Sequence, residues 1–223
     1  MAMPILIIGE SGSGKTASLR NFKKGEIYIF EVAGKELPFK NDFDNFVKQR
    51  ATYDDIKKIT LAAAAKKPGA VKTWVIDDSQ YLMAFESFAR AKETGYSKNV
   101  DLAKNFKDLI DFVITALPRD WTVYFLHHLA VDENTGVRHA KTLGKMLDNQ
   151  LTVEGMFTMV LMTNVLQGKY TFITHNLDGL STVKSPIGMF ADNEIDNDLK
   201  VVDRKVRDYY GWDKPASPAK EDK

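Results

Sequence analysis

The sequence predicts an α/β fold, with three α/β/α layers around a mainly parallel sheet that carries a C-terminal antiparallel hairpin. Three observations predict it. First, Pro4-Ile5-Leu6-Ile7-Ile8 runs into Gly9-Glu10-Ser11-Gly12-Ser13-Gly14-Lys15-Thr16 and then into Ala17–Phe22, the order strand, glycine-rich loop, helix. Second, Thr73-Trp74-Val75-Ile76-Asp77-Asp78 is an apolar run closed by acids, the form of a buried parallel strand that ends at the ligand edge of an open sheet. Third, strand-like runs alternate with helically spaced ones until residues 156–174, which read as two strands joined at Gln167-Gly168.

The loop has the G-x-x-x-x-G-K-T spacing. Gly9, Gly12 and Gly14 let the main chain turn its N–H groups inward around a phosphate chain. The following helix is expected to point its positive end at the same place. Lys15 is then placed for the β- and γ-phosphates, and the Thr16 hydroxyl for Mg²⁺. The nucleotide-binding set is thus Gly9, Glu10, Ser11, Gly12, Ser13, Gly14, Lys15 and Thr16, with ATP and Mg²⁺ as the cofactors implied. The plain alternative is a glycine-rich turn after an ordinary strand.

Composition sets the frame. At 223 residues the chain has room for one sizeable domain, expected over 1–212, with a polar, disordered tail at 213–223. Thirty-one basic residues against 30 acidic ones leave no global field for nucleic acid, although a local basic face remains open. The absence of cysteine excludes disulfides, thiolate metal sites and cysteine nucleophiles, and fits a reducing cytoplasm. The apolar start at Met3–Ile8 is too short for a signal core, and no run reaches membrane-span length, so a cytoplasmic protein is expected.

Taken in order, Lys23-Lys24-Gly25 is a turn and Glu26–Val32 a second strand ending near Glu31. Asp42–Gln49 and Tyr53–Lys67 read as helices, the latter stopped by Pro68-Gly69. After the acid-closed strand, Gln80–Lys92 and Leu102–Leu117 carry apolar stripes typical of core helices, separated by a break at Thr94–Ser97. Trp121–His128 is a fourth strand. Ala130–Lys145 reads as a loop that turns basic from Arg138 through His139, Lys141 and Lys145, either a grip for a polynucleotide or neighbouring subunit or a solvated loop. A helix near Leu199–Tyr210 closes the domain.

Asp77 has the Walker B position and would hold Mg²⁺, with Asp78 available to polarise water or to join the metal's outer shell. The competing reading is a helix-capping aspartate. At the end of the fourth strand, His127 or His128 could sense the γ-phosphate as a neutral imidazole, or be a satisfied structural residue.

Four features choose among phosphate-loop classes. There is no Asn-Lys-x-Asp base-reading motif and no arginine-rich lid; the acid-closed strand is the third; and a hairpin follows the fourth. The chain resembles the phage-encoded RecA-like core ATPases, which include one class of phage single-strand annealing proteins. The resemblance is carried by Gly9–Thr16, Gly34–Phe39, Val75–Asp78, Phe125–His128, Thr142–Leu147, Lys184–Phe190 and Asp196–Leu199, over residues 5 to about 210. It implies an oligomeric ATPase working with single-stranded DNA in recombination or replication, with a phage single-strand-binding protein as possible partner, in the host cytoplasm.

The resemblance also implies roles. Lys15 and Thr16 take phosphate and metal, Asp77 the Walker B role, and Glu31 the water-activating acid. Here the strand end reads Phe30-Glu31-Val32-Ala33 rather than the Asp-Thr-Glu usual in recombinases, so Asp78 stands as the rival. A cation from a neighbouring subunit would complete the site, with Lys184 as first candidate and Arg204 and Arg207 behind it. A nucleotide-gated binding module and a small-molecule kinase are the alternative functions.

Overall fold

A computed structural model describes residues 1–43, 47–66, 69–93, 96–143 and 151–213. Its frame is one sheet of strands β1 (Met3–Gly9), β2 (Ile27–Glu31), β3 (Val47–Gln49), β4 (Thr73–Asp77), β5 (Thr122–Val131), β6 (Arg138–Ala140), β7 (Met159–Leu166), β8 (Lys169–Ile173) and β9 (Glu194–Asp196). The order across the sheet is β3-β2-β4-β5-β1-β7-β8-β9, with β6 paired to the far end of β5. The six strands from β3 to β7 are parallel, while β7–β8 and β8–β9 are antiparallel. The fold is therefore α/β with a mostly parallel mixed sheet. β5 lies between β1 and β4, so the strand before the glycine loop and the acid-closed strand are not neighbours.

The strands are apolar on both faces because both faces are covered. Leu6, Ile8, Phe30, Trp74, Ile76, Val123 and Phe125 point to one side, under helices α1 (Tyr53–Ala65), α2 (Gln80–Ala89) and α3 (Tyr96–Ala116). Ile5, Ile7, Ile27, Ile29, Val75, Tyr124 and Leu126 point to the other, under Leu199, Val202 and Val206 of α4 (Leu199–Tyr210) and under Leu19 and Phe22. The period of two along each strand delivers the two cores.

Local chemistry fixes the ends. Thr52 and Asp55 form a reciprocal capping box on α1. Asp198 caps α4 through the Lys200 and Val201 amides, and Gly211 ends it at φ 65°. Among the described residues no helix is long and apolar enough to cross a membrane.

Several expectations change. The helix expected over Ala17–Phe22 is a single 3₁₀ turn, Thr16–Leu19. The chain must descend from the carboxyl end of β1 to the amino end of β2, roughly 17 Å for a five-residue strand. A 3₁₀ turn gains about 2.0 Å per residue against 1.5 Å for an α-helix, which suits this short connection. The four-residue turn Thr16–Leu19 therefore presents no α-helix dipole to the loop. Of the helix expected over Asp42–Gln49, Val47–Gln49 is instead an edge strand paired with Ile29–Glu31, and residues 44–46 lie outside the described residues. The basic loop expected after β5 begins as a hairpin, because β5 runs on to Val131 and β6 returns beside it. Lys145, Pro68, the break at Thr94-Gly95 and the tail from 214 lie outside the described residues. The hairpin at Gln167-Gly168 stands, and the stretch 192–198 adds the unforeseen strand β9.

Candidate phosphate-binding site

The parallel strands bring their carboxyl ends to one edge, where Gly9 ends β1, Glu31 ends β2, Asp77 ends β4 and His127-His128 lie in β5. Glu31 is registered against Asp77, and Gly9 against His128. Residues from four strands thus reach one edge of the sheet.

The glycine loop is built tightly. Gly12 and Gly14 sit at φ 76° and 94°, the left-handed region that favours glycine. Gly9 is required for a different reason: a Cβ there would collide with Thr163 Oγ1 and lie 2.6 Å from Ser13 Oγ. The Ser13 hydroxyl donates to the Glu10 carbonyl at 2.7 Å, which leaves Thr163 as the donor in the 2.5 Å contact between Thr163 Oγ1 and Ser13 Oγ. Thr163, buried in β7, therefore braces the loop from outside it. Sequence reasoning missed it; its signal was one polar residue directly after the apolar run Val160-Leu161-Met162.

Lys15 is buried, and its ammonium donates to the carbonyls of Gly9 at 2.9 Å and Glu10 at 2.7 Å. Burial pulls its pKa down to about 8, although Asp78 and Asp77 push the other way. Main-chain carbonyls rather than a carboxylate hold this charge, so an anionic ligand can engage it. Thr16, in the next turn, lies beside the carboxylate of Asp77 and favours its ionised form. Asp77 is fully buried, and that burial, with Asp78 beside it, raises its pKa to about 7. Its Oδ1 also accepts the Asp78 amide at 3.0 Å.

Asp78 occupies the left-handed region at φ 57° and turns the chain sharply from β4 into α2. Burial pushes its carboxyl up, but His128 and Lys35 outweigh that and hold it below its ordinary value. Lys35 Nζ lies 2.5 Å from Asp78 Oδ2, and His128 Nε2 lies 3.3 Å from Oδ1. Glu31 is buried too, and burial raises its pKa. Its carboxylate accepts the amide of Lys35 at 2.5 Å, with Gly34 close by, so it ties down the loop after β2.

The structure separates the two histidines. His127 is fully buried beside Phe106, with Nε2 2.7 Å from the Lys141 carbonyl and Nδ1 2.8 Å from Ser79 Oγ. A carbonyl only accepts, so Nε2 carries the hydrogen and Nδ1 receives the serine hydroxyl. Burial lowers this ring's pKa to about 4 and keeps it neutral. With both nitrogens engaged inside the core, His127 has the structural role; His128 is the histidine that faces Asp78.

The candidate trans-acting cations lie elsewhere. Lys184 is exposed and pairs through its main chain with Val160, near the amino end of β7 rather than at its carboxyl end. Arg207 is buried at the amino ends of β4 and β5, where it meets Asp203 at 2.8 Å, Thr73 Oγ1 at 3.2 Å and the Asp120 carbonyl at 3.2 Å. That is the opposite edge from Gly9, so Arg207 is a structural ion-pair residue here. Arg204 lines a concavity on that same amino edge with Lys72 and Thr73.

Among the described residues no group of three or more His, Cys, Asp or Glu is placed to hold a metal on its own. Thr16 and Asp77 supply two adjacent oxygens, a set that fits a magnesium ion arriving with phosphate oxygens. No family model matches this chain, and neither does any curated protein.

Proposed function

We propose that the chain binds a nucleoside triphosphate with magnesium at the loop Gly9–Thr16 and hydrolyses its terminal phosphate. The observation that supports this most is the placement of Thr16 beside the Asp77 carboxylate, with the Lys15 ammonium near them, at the carboxyl edge of a mostly parallel sheet. A hydroxyl, a carboxylate and an ammonium brought together from separate elements match the needs of a triphosphate and its metal.

Thr16 and Asp77 would hold the magnesium, which neutralises charge on the phosphate oxygens. The loop amides and Lys15 hold the phosphate chain. Asp78, kept ionised, orients a water whose oxygen bonds to the γ-phosphorus. The bond from that phosphorus to the bridging oxygen breaks, its electron pair leaves with the nucleoside diphosphate, and the water's proton passes to Asp78 and on to the departing phosphate. Glu31, engaged by the Lys35 amide, positions the loop that carries Lys35.

By its resemblance to phage RecA-like core ATPases, the chain is proposed to act in the cytoplasm as an oligomer on single-stranded DNA, with a single-strand-binding protein as partner. A phosphate-release assay with ATP and GTP, with and without single-stranded DNA, tests both parts. Magnesium-dependent release supports the hydrolase, and a DNA-stimulated rate supports the DNA role. Binding without release would favour a nucleotide-gated module. Transfer of the phosphate to a small acceptor would establish a kinase.

A further inference from the structure

The acids at this edge have a second cation. Lys35 carries a side chain that is 62% exposed, yet its ammonium reaches a carboxylate that is 4% exposed. An exposed lysine normally stays in water, since surface ion pairs contribute little. The loop that carries it is fixed at two further points. The amide of Lys35 binds Glu31, and Gly34 adopts φ 78° with Arg50 packed where a Cβ would stand. Arg50 is itself held over the Phe85 ring.

The charges around Lys35 are specific. Burial works against its ammonium, but Asp78, Asp77 and Glu31 all favour it and outweigh that cost. Lys15 feels its charge as well. The two ammonium groups therefore bear on the same acids from different loops. A pocket with Asp77 and Asp78 ionised and only Lys15 charged would be net negative before any polyphosphate entered. Lys35 reduces that imbalance, and its long flexible stem lets it exchange a carboxylate oxygen for a phosphate oxygen.

We propose that Lys35 is a catalytic cation supplied in cis: it leaves Asp78 for the γ-phosphate, stabilises the charge that develops there, and frees Asp78 to orient the water. The inference rests on the nucleotide reading above. It makes each chain's site complete without a lysine or arginine from a neighbour. Charge-stabilising fingers of this kind contribute about 10³–10⁵ in rate.

The test uses the full chain and its Lys35→Ala, Lys35→Arg and Lys15→Ala variants, each checked for wild-type circular dichroism and melting. Lys35→Ala is expected to keep the affinity for a non-hydrolysable ATP analogue with magnesium to within about threefold, and to lose at least about 10²-fold in single-turnover hydrolysis. Lys35→Arg should recover much of that loss, because the charge is kept. Mixing Lys35→Ala with Lys15→Ala should restore nothing if the lysine acts within its own chain. Wild-type hydrolysis by Lys35→Ala, an equal loss of analogue binding, or restored turnover on mixing would each overturn the proposal. If the wild-type chain itself binds no analogue, the nucleotide reading fails first, and the two failures are thereby told apart.

Discussion

Thr16 lies beside the Asp77 carboxylate although one follows the glycine loop and the other ends a strand that is not adjacent to β1. Strand β5 fills the gap between those strands, and the carboxyl ends converge above it. Replacing Asp77 by Asn keeps the shape and removes the charge. The magnesium-dependent part of nucleotide affinity should fall by about 10–100-fold, in line with the loss of one charge-assisted contact. Titration calorimetry with and without magnesium reads this directly.

The same carboxyl gives a pH dependence. With a folded pKa near 7, Asp77 holds its proton in the native state between about pH 4 and 7, while the unfolded chain has lost it. The native state then binds more protons, so this group's contribution to stability falls as pH rises through that window and is fully lost above it. Asp77→Asn should therefore gain on wild type as pH rises from 4 to 7, by up to about 1.4 kcal/mol per unit. Denaturant midpoints at several pH values check the sign. Magnesium needs the ionised form, so magnesium-nucleotide affinity should weaken below about pH 7, with uptake of the metal releasing a proton.

Gly9→Ala should be destabilising by roughly 1–3 kcal/mol, since the added methyl collides with Thr163 and Ser13. Thr163→Ala in the same chain removes part of that collision and should recover a measurable fraction. A double-mutant cycle on melting temperature separates this coupling from the loss of the Ser13 contact.

The histidines should divide by effect. His127→Ala removes a ring with two buried hydrogen bonds and is expected to cost about 2–4 kcal/mol of stability. His128→Ala should leave stability nearly unchanged and slow hydrolysis through its contact with Asp78. Melting curves and phosphate release on the two variants give opposite patterns.

Arg207→Ala leaves Asp203 buried against Thr73, Thr122 and Tyr124 without its cation, and should cost about 3–5 kcal/mol. Folded Arg207→Ala chains at low temperature are expected to keep wild-type hydrolysis per chain, because the network lies at the sheet edge opposite the loop.

Much of the site was legible because its parts are local. The spacing from Gly9 to Thr16 is set by chain geometry, and Asp77 stands out as the acid that closes an apolar strand. Thr163, Lys35 and His128 were harder for one reason: each enters by tertiary approach. The choice between His127 and His128 depends on pleat phase, and β5 carries large apolar residues on both faces, Phe125 on one and Leu126 on the other. The pattern therefore gave no phase. Val47–Gln49 was mistaken for helix because three residues of edge strand are too short to show a period of two. The turn after the loop lost its helix to the demands of the crossover, which no local propensity reports.

The most direct measurement of the central claim is calorimetric titration of a non-hydrolysable ATP analogue, with magnesium, into the wild-type chain and into Lys15→Ala. Saturable one-to-one binding by the wild type, weakened about 100-fold or more by Lys15→Ala, is the expected result. No heat of binding for the analogue, ATP or ADP in the presence of magnesium would contradict the account.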